Sequence, residues 1–249
     1  MKKLCLFFLL FAMIFSFSSC TPSDEDRINE LLEGYKQYTA DGSTIHYIIT
    51  VEYWENLREP DEFGQIRKSK STYEEKILPD AASVIINRQG KPQIECIHAN
   101  GKFYRWSAGH GQRTDWNGNT SQWGIGGQLT FPLSIIKRKA VLEETEDGYR
   151  LRATLSGDWM RLDLVNYVEF YGEPTAYGDL QLEMFFSPDG VPLEVKFEFA
   201  DSYLIVEDRP FDVLHTVRIE FVTFDASQIE IIVPEEWENF SSDPPPLGF

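Results

Sequence analysis

Leu180-Gln181-Leu182-Glu183-Met184-Phe185-Phe186, then Ser187-Pro188-Asp189-Gly190, then Val191-Pro192-Leu193-Glu194-Val195-Lys196-Phe197-Glu198-Phe199 is the stretch that decides the fold. Leu180, Leu182, Met184 and Phe186 alternate with Gln181, Glu183 and Phe185, and Val191, Leu193, Val195, Phe197 and Phe199 alternate with Pro192, Glu194, Lys196 and Glu198. A period of two places one set of side chains on each face of a strand, and the Pro-Asp-Gly between the runs is turn chemistry. The stretch therefore reads as an antiparallel hairpin with one large apolar face and one charged face.

Outward from that hairpin the same period recurs. Val213 to Phe224 and Ile229 to Val233 read as two further strands, ended by Pro234-Glu235-Glu236-Trp237. Upstream, Ala140–Thr145 and Tyr149–Leu155 read as a hairpin around Glu146-Asp147-Gly148. Ala82–Asn87, Gln93–His98 and Lys102–Trp106 read as short strands linked by Arg88-Gln89-Gly90 and Ala99-Asn100-Gly101, and Asn-Gly is a strong hairpin signal. Ile45, Tyr47, Ile49, Val51 and Tyr53 mark a long strand. Ile66 to Leu78 is extended but strongly polar, which predicts an exposed part of the sheet with charges that discourage aggregation.

Three segments break the period. Ile28, Leu31, Leu32 and Tyr35 recur at helical spacing and predict a helix over Arg27–Tyr38, with Asp24 or Asp26 as its cap. Phe131-Pro132-Leu133 to Lys137 predicts a short helix with Pro near its first turn. Asp158–Tyr171 predicts a second long helix, with a strand pair as the competing reading. Roughly ten mostly antiparallel strands with helices imply an α+β fold. A sheet of that size curls, so the expectation is a curved, mostly antiparallel sheet, an open half-barrel, with helices covering the concave face.

The N-terminus addresses location. Lys2 and Lys3 precede the apolar run Leu4–Phe17, and Ser18-Ser19-Cys20 follows. The run fits a secretory h-region and is short for a membrane span. Phe17-Ser18-Ser19-Cys20 resembles the lipobox of bacterial lipoproteins, with Phe17 where that family usually has Leu. The resemblance implies a signal peptide over 1–19, cleavage before Cys20, and lipid (palmitate among it) on Cys20. The protein would then meet the membrane through lipidated Cys20, and its location would be a bacterial cell membrane or the surface of the outer membrane. Residues 20–26 read as an acidic tether, and Asp24-Glu25-Asp26 resembles the surface-export signal of Bacteroidota lipoproteins. The main domain is expected over 27–237 and a loose tail over 238–249.

Charge and cysteines narrow the classes. The chain carries 23 Lys+Arg against 40 Asp+Glu, a net charge of −17; removing Lys2 and Lys3 with the signal leaves 21 − 40 = −19. Such a field argues against nucleic acid as a partner. Of three cysteines, Cys5 leaves with the signal and Cys20 is lipidated, so Cys96 remains alone and no intrachain disulfide forms. Cys96, in Ile94-Glu95-Cys96-Ile97, reads as a buried thiol. His98 and His110 match no metal-ligand spacing, so no metal and no cofactor are expected. The Gly-rich stretch Ser107–Gln128 reads as an irregular loop. It lacks both the Walker Lys-Ser/Thr ending and a GxGxxG opening a helix. Its Trp116 and Trp123 either pin the loop or stack on a partner. No GxSxG and no His/Cys/Asp grouping stands out, so no catalytic residue is assigned and the chain reads as non-catalytic.

The order of elements is similar to that of LolA/LppX-type lipoproteins. It runs from signal and Cys through a helix, a long strand, Gly101-Lys102-Phe103-Tyr104-Arg105-Trp106, a helix, Asp189-Gly190-Val191-Pro192-Leu193-Glu194-Val195 and Ile231-Ile232-Val233-Pro234-Glu235-Glu236. The resemblance covers about residues 27–237. It implies an open half-barrel that holds a lipophilic ligand, with Trp106, Phe131, Leu182, Met184, Phe186 and Phe197 as the pocket lining. The other reading is a surface module that binds glycan or protein through Trp116 and Trp123.

Overall fold

The structure is a computed structural model, and it describes residues 23–40, 42–55, 67–115, 131–156, 176–205 and 209–242. Helix α1 spans Asp24–Tyr38. Ser23 caps it: the Ser23 hydroxyl accepts from the Asp26 amide at 3.2 Å, and the Asp26 carboxylate accepts from the Ser23 amide at 3.3 Å. This reciprocal box satisfies two otherwise orphaned donors. Asp24, Glu25 and Asp26, expected in the tether, thus form the first helical turn, where acidic charge complements the helix dipole. Ile28, Leu31, Leu32 and Tyr35 form its buried face.

Twelve strands follow in the described residues: β1 Ile45–Glu55, β2 Arg67–Leu78, β3 Ala81–Arg88, β4 Ile94–Ala99, β5 Lys102–Ser107 and β6 His110–Asp115, then β7 Val141–Thr145, β8 Gly148–Leu155, β9 Ala176–Tyr177, β10 Leu180–Phe186, β11 Pro192–Ile205 and β12 Arg209–Thr223. A second helix, α2, spans Leu133–Lys139 between β6 and β7. The strands form one antiparallel sheet in the order β6-β5-β4-β3-β2-β1-β12-β11-β10-β8-β7, with β9 paired to β11. The first six strands meander outward from β1. The rest begin at the opposite edge and return, so the two halves of the chain meet where β1 pairs β12. Hairpin chemistry sets the registers: Asn100 (φ 54°) and Gly101 (φ 70°) form the left-handed pair that a two-residue turn needs, and β4 and β5 pair from Ala99↔Lys102 onward.

The α+β assignment is overturned. The sheet dominates, and the described residues hold only two α-helices, of 15 and 7 residues. The open, antiparallel sheet fits a half-barrel, but helices do not cover it. A 15-residue helix is about 22 Å long, whereas eleven strands at about 4.8 Å spacing make a sheet roughly 50 Å wide. The expected helix Asp158–Tyr171 lies outside the described residues.

Other expectations also change. The polar strand β2 lies inside the sheet, paired to β1 and β3. Its polarity is a matter of faces. Lys68 and Lys70 reach Glu52 at 3.0 and 3.5 Å on one side, while Tyr73 and Ile77 pack toward the core on the other. Ile229–Val233 is not a strand. The Gly-rich stretch is more regular than expected at its start, where His110–Asp115 is strand β6. The tail is pinned through Ser241: the Arg113 amide donates to its carbonyl at 3.0 Å, and the Tyr104 hydroxyl bonds Glu238 at 2.7 Å.

Cross-strand pairing carries a single face across the sheet. Met184 pairs Leu151 and Val195, Val195 pairs Ile219, Ile219 pairs Ile49, and Ile49 pairs Tyr73. We call this the inner face. With α1 and α2 it forms the main core. Farther along the same face, Ala82, Val84, Cys96 and Phe103 form a second, separate cluster. On the opposite face of β4 and β5, Ile97, Ala99 and Tyr104 pack against Trp237 from a short 3-10 helix, Glu235–Asn239.

Candidate functional site: a cleft between the two helices

Leu182, Met184, Phe186 and Phe197 all face inward and are at most 2% exposed. Their cover is protein: Ile28, Leu31, Leu32 and Tyr35 of α1 pack into the same cluster. The period-two reading found their face, and the structure fills it with the chain's own helix.

Phe131 sits at the margin of this core. Its ring lies 5.9 Å from Tyr35 and 6.2 Å from Phe197, the latter edge to face. Such aromatic arrangements contribute about 0.5–1.5 kcal/mol beyond area burial. Tyr35 also meets Phe221 edge to face at 6.1 Å, so the end of α1 rests on a small aromatic floor. Burial holds the Tyr35 phenol well above its ordinary pKa, and it stays neutral.

Trp106 is elsewhere. It pairs Glu95, on the face opposite to Met184, and packs against the cluster of Tyr104 and Trp237. The structure thus brings together five of the six expected lining residues and separates Trp106 from them. Strand parity carried the signal: Phe103 and Trp106 cannot share a face, but only the register identifies which of them faces inward.

Above Phe131 a cleft of about 780 Å³ opens between α1 and α2. Leu32, Tyr35, Phe131 and Leu133 supply its apolar lining, and Lys36 and Lys137 add two cations. Glu33 also lines it, within 4.0 Å of Lys36. Volumes of 300–1,000 Å³ with apolar walls and a few polar groups are typical of small-molecule sites. Sequence reasoning found Leu32 and Tyr35 as a helical stripe and Phe131 as an aromatic neighbour. It missed Leu133, Lys36 and Lys137, because nothing in the spacing says that α2 packs beside α1.

The chemistry at other expected positions is quiet. Cys96 is buried, and desolvation pushes its thiol up to about 12, far from a thiolate nucleophile. Among the described residues no group of three His, Cys, Asp or Glu could hold a metal ion. Cys20, Trp116 and Trp123 lie outside the described residues. No helix among the described residues is long and apolar enough to cross a membrane.

No family model and no curated protein matches the chain. Among solved structures, the crystal structure of a DUF1329 family protein from Desulfovibrio piger aligns with 82% of this chain and 98% of that one, at 8% identity and a TM-score of 0.26.

Proposed function

We propose that this chain is a non-catalytic, lipid-anchored lipoprotein of the bacterial cell envelope that holds a lipophilic ligand in the cleft between α1 and α2. The lipobox-like Phe17-Ser18-Ser19-Cys20 and the resemblance in element order to LolA/LppX-type lipoproteins support the anchor and the class. The observation that carries the ligand reading is the apolar cleft of about 780 Å³ over Tyr35 and Phe131, continuous with the core through Phe197. The expected pocket moves accordingly. Leu182, Met184, Phe186 and Phe197 act as a buried floor, while Phe131 makes direct contact. An acyl chain would lie along Leu32 and Leu133, with Lys36 and Lys137 toward its polar end. Each buried methylene would contribute about 0.8 kcal/mol.

Native mass spectrometry of the Cys20→Ser chain tests this: a co-purified hydrophobic adduct is expected. Phe131→Ala should remove it and lower the uptake of a fluorescent fatty acid at least tenfold. A clean apo mass together with no dye uptake would sink the reading. Palmitate labelling that persists in Cys20→Ser would sink the anchor.

A further inference from the structure

A second cleft, of about 540 Å³, lies at the far end of the sheet, where the β3–β4 and β5–β6 hairpins turn. Arg88, Lys91, Arg105 and His110 line it, with Ser107 and Gln112 between them. The register explains the convergence. Arg105 pairs Cys96 and Gln112, and Ser107 pairs Ile94 and His110, so two adjacent inward rows end in basic groups. Arg88 closes β3 and Lys91 sits in the turn after it. That turn is braced: the Lys91 amide donates to the Arg88 carbonyl at 3.0 Å, and the Ser107 hydroxyl donates to the Gln93 carbonyl at 3.1 Å.

Charge sets this cleft apart. The chain has nearly two acids for each Lys or Arg, yet no acid is among the described residues that line this cleft. The cleft between the helices contains Glu33, and a third, beside β7, contains Glu183. A local excess of three permanent cations inside a strongly negative molecule focuses anions at one place. Guanidinium groups match tetrahedral oxyanions through paired N–H donors, which a lysine alone cannot do. Ile94, Pro92 and Ala108 add apolar wall for an organic portion. The cations act through side chains, so the missing Walker pattern is irrelevant to this cleft.

We propose that this cleft binds a doubly charged phosphate group, with Arg88, Arg105 and Lys91 as its ligands. The site stands independently of the lipophilic cleft. The phosphate could belong to a soluble compound or to a lipid headgroup, and both present the same oxyanion.

The test is calorimetric titration of the full-length chain in a neutral detergent with sodium pyrophosphate, dihexanoylphosphatidylglycerol and dihexanoylphosphatidylcholine. Pyrophosphate binding supports the site with a soluble source, and binding of the glycerol lipid without pyrophosphate supports it with a headgroup source. In either case Arg105→Gln and the exposed Lys91→Gln should each weaken binding at least fivefold, and Lys137→Gln in the other cleft should leave it unchanged. Raising salt should weaken it further. The proposal is overturned if neither anion binds, if the choline lipid binds as well as the glycerol lipid, or if Lys91→Gln and a folded Arg105→Gln bind like wild type.

Discussion

One sheet carries two differently built halves. From β7 through β12 to β1, apolar side chains gather on the inner face, under α1, and the opposite face is charged. Arg218 there bridges Glu194 at 2.6 Å and Glu220 at 3.1 Å. From β3 to β6 burial is divided: Ala82, Val84, Cys96 and Phe103 lie on the inner face, while Ile97, Ala99 and Tyr104 lie on the other, under Trp237. The difference shows in the strands. β10 alternates strictly between buried and open positions, whereas in β4 the neighbours Cys96 and Ile97 are both buried. A strand covered on both sides loses its period of two. The covers also differ in kind, an amphipathic helix that can be recognised locally and a chain terminus that cannot.

The largest effect should come from the one-sided core. Phe197→Ala, at a side chain 1% exposed and inside the main cluster, should cost about 3–5 kcal/mol. Urea unfolding would measure it, and a loss under about 1 kcal/mol would mean that the core relaxes far more than a packed interior does.

Trp237→Ala should cost about 3 kcal/mol, at the low end for a large aromatic because its cluster is small. The sharper readout is amide exchange. Protection should fall in β4–β6 and persist in β10–β12; a uniform loss would show that the two halves unfold as one unit.

His215 offers a pH handle inside the one-sided half. Its ring stacks on Phe199 at 4.6 Å and lies 3.7 Å from Asp201, and burial lowers its pKa to about 4. The folded state then takes up a proton less readily than the unfolded chain. Stability from this group is present above about pH 6.5 and falls as pH drops toward 4. The loss by pH 4.5 should be on the order of 2 kcal/mol. His215→Gln should flatten that part of the stability–pH curve relative to wild type. Parallel curves would assign the acid sensitivity to the carboxylates instead.

The smallest effect should be Arg218→Ala on the charged face. The side chain is half exposed, so the change should be at most about 1 kcal/mol and should shrink in high salt. A loss comparable to that of Phe197→Ala would mean that this face is covered after all.

Legibility followed the same division. The hairpin of Leu180–Phe186 with the run from Pro192, the long strand at Ile45, α1 and the Asn100-Gly101 turn were all readable, because each rests on contacts local in sequence. Of the candidate site, Phe131, Leu32 and Tyr35 were readable as apolar residues. The cleft they line was not, since it depends on α2 packing beside α1. Trp106 was misplaced because β5 is buried on both faces, and composition alone cannot orient such a strand. β2 was misplaced because polar side chains describe its faces, not its neighbours in the hydrogen-bonded sheet.

The sequence by itself determined the elements, their turns, the inward register of Met184 and Phe197, the acidic surface and the lone Cys96. Period, turn chemistry and net charge are properties of the chain at short range. Only the tertiary structure decided that β1 and β12 join the two halves, that α1 fills the inner face over one half alone, and that Arg88, Lys91 and Arg105 meet in one cleft. Those outcomes depend on which strands pair across long loops, and pairing is selected by the burial of whole faces.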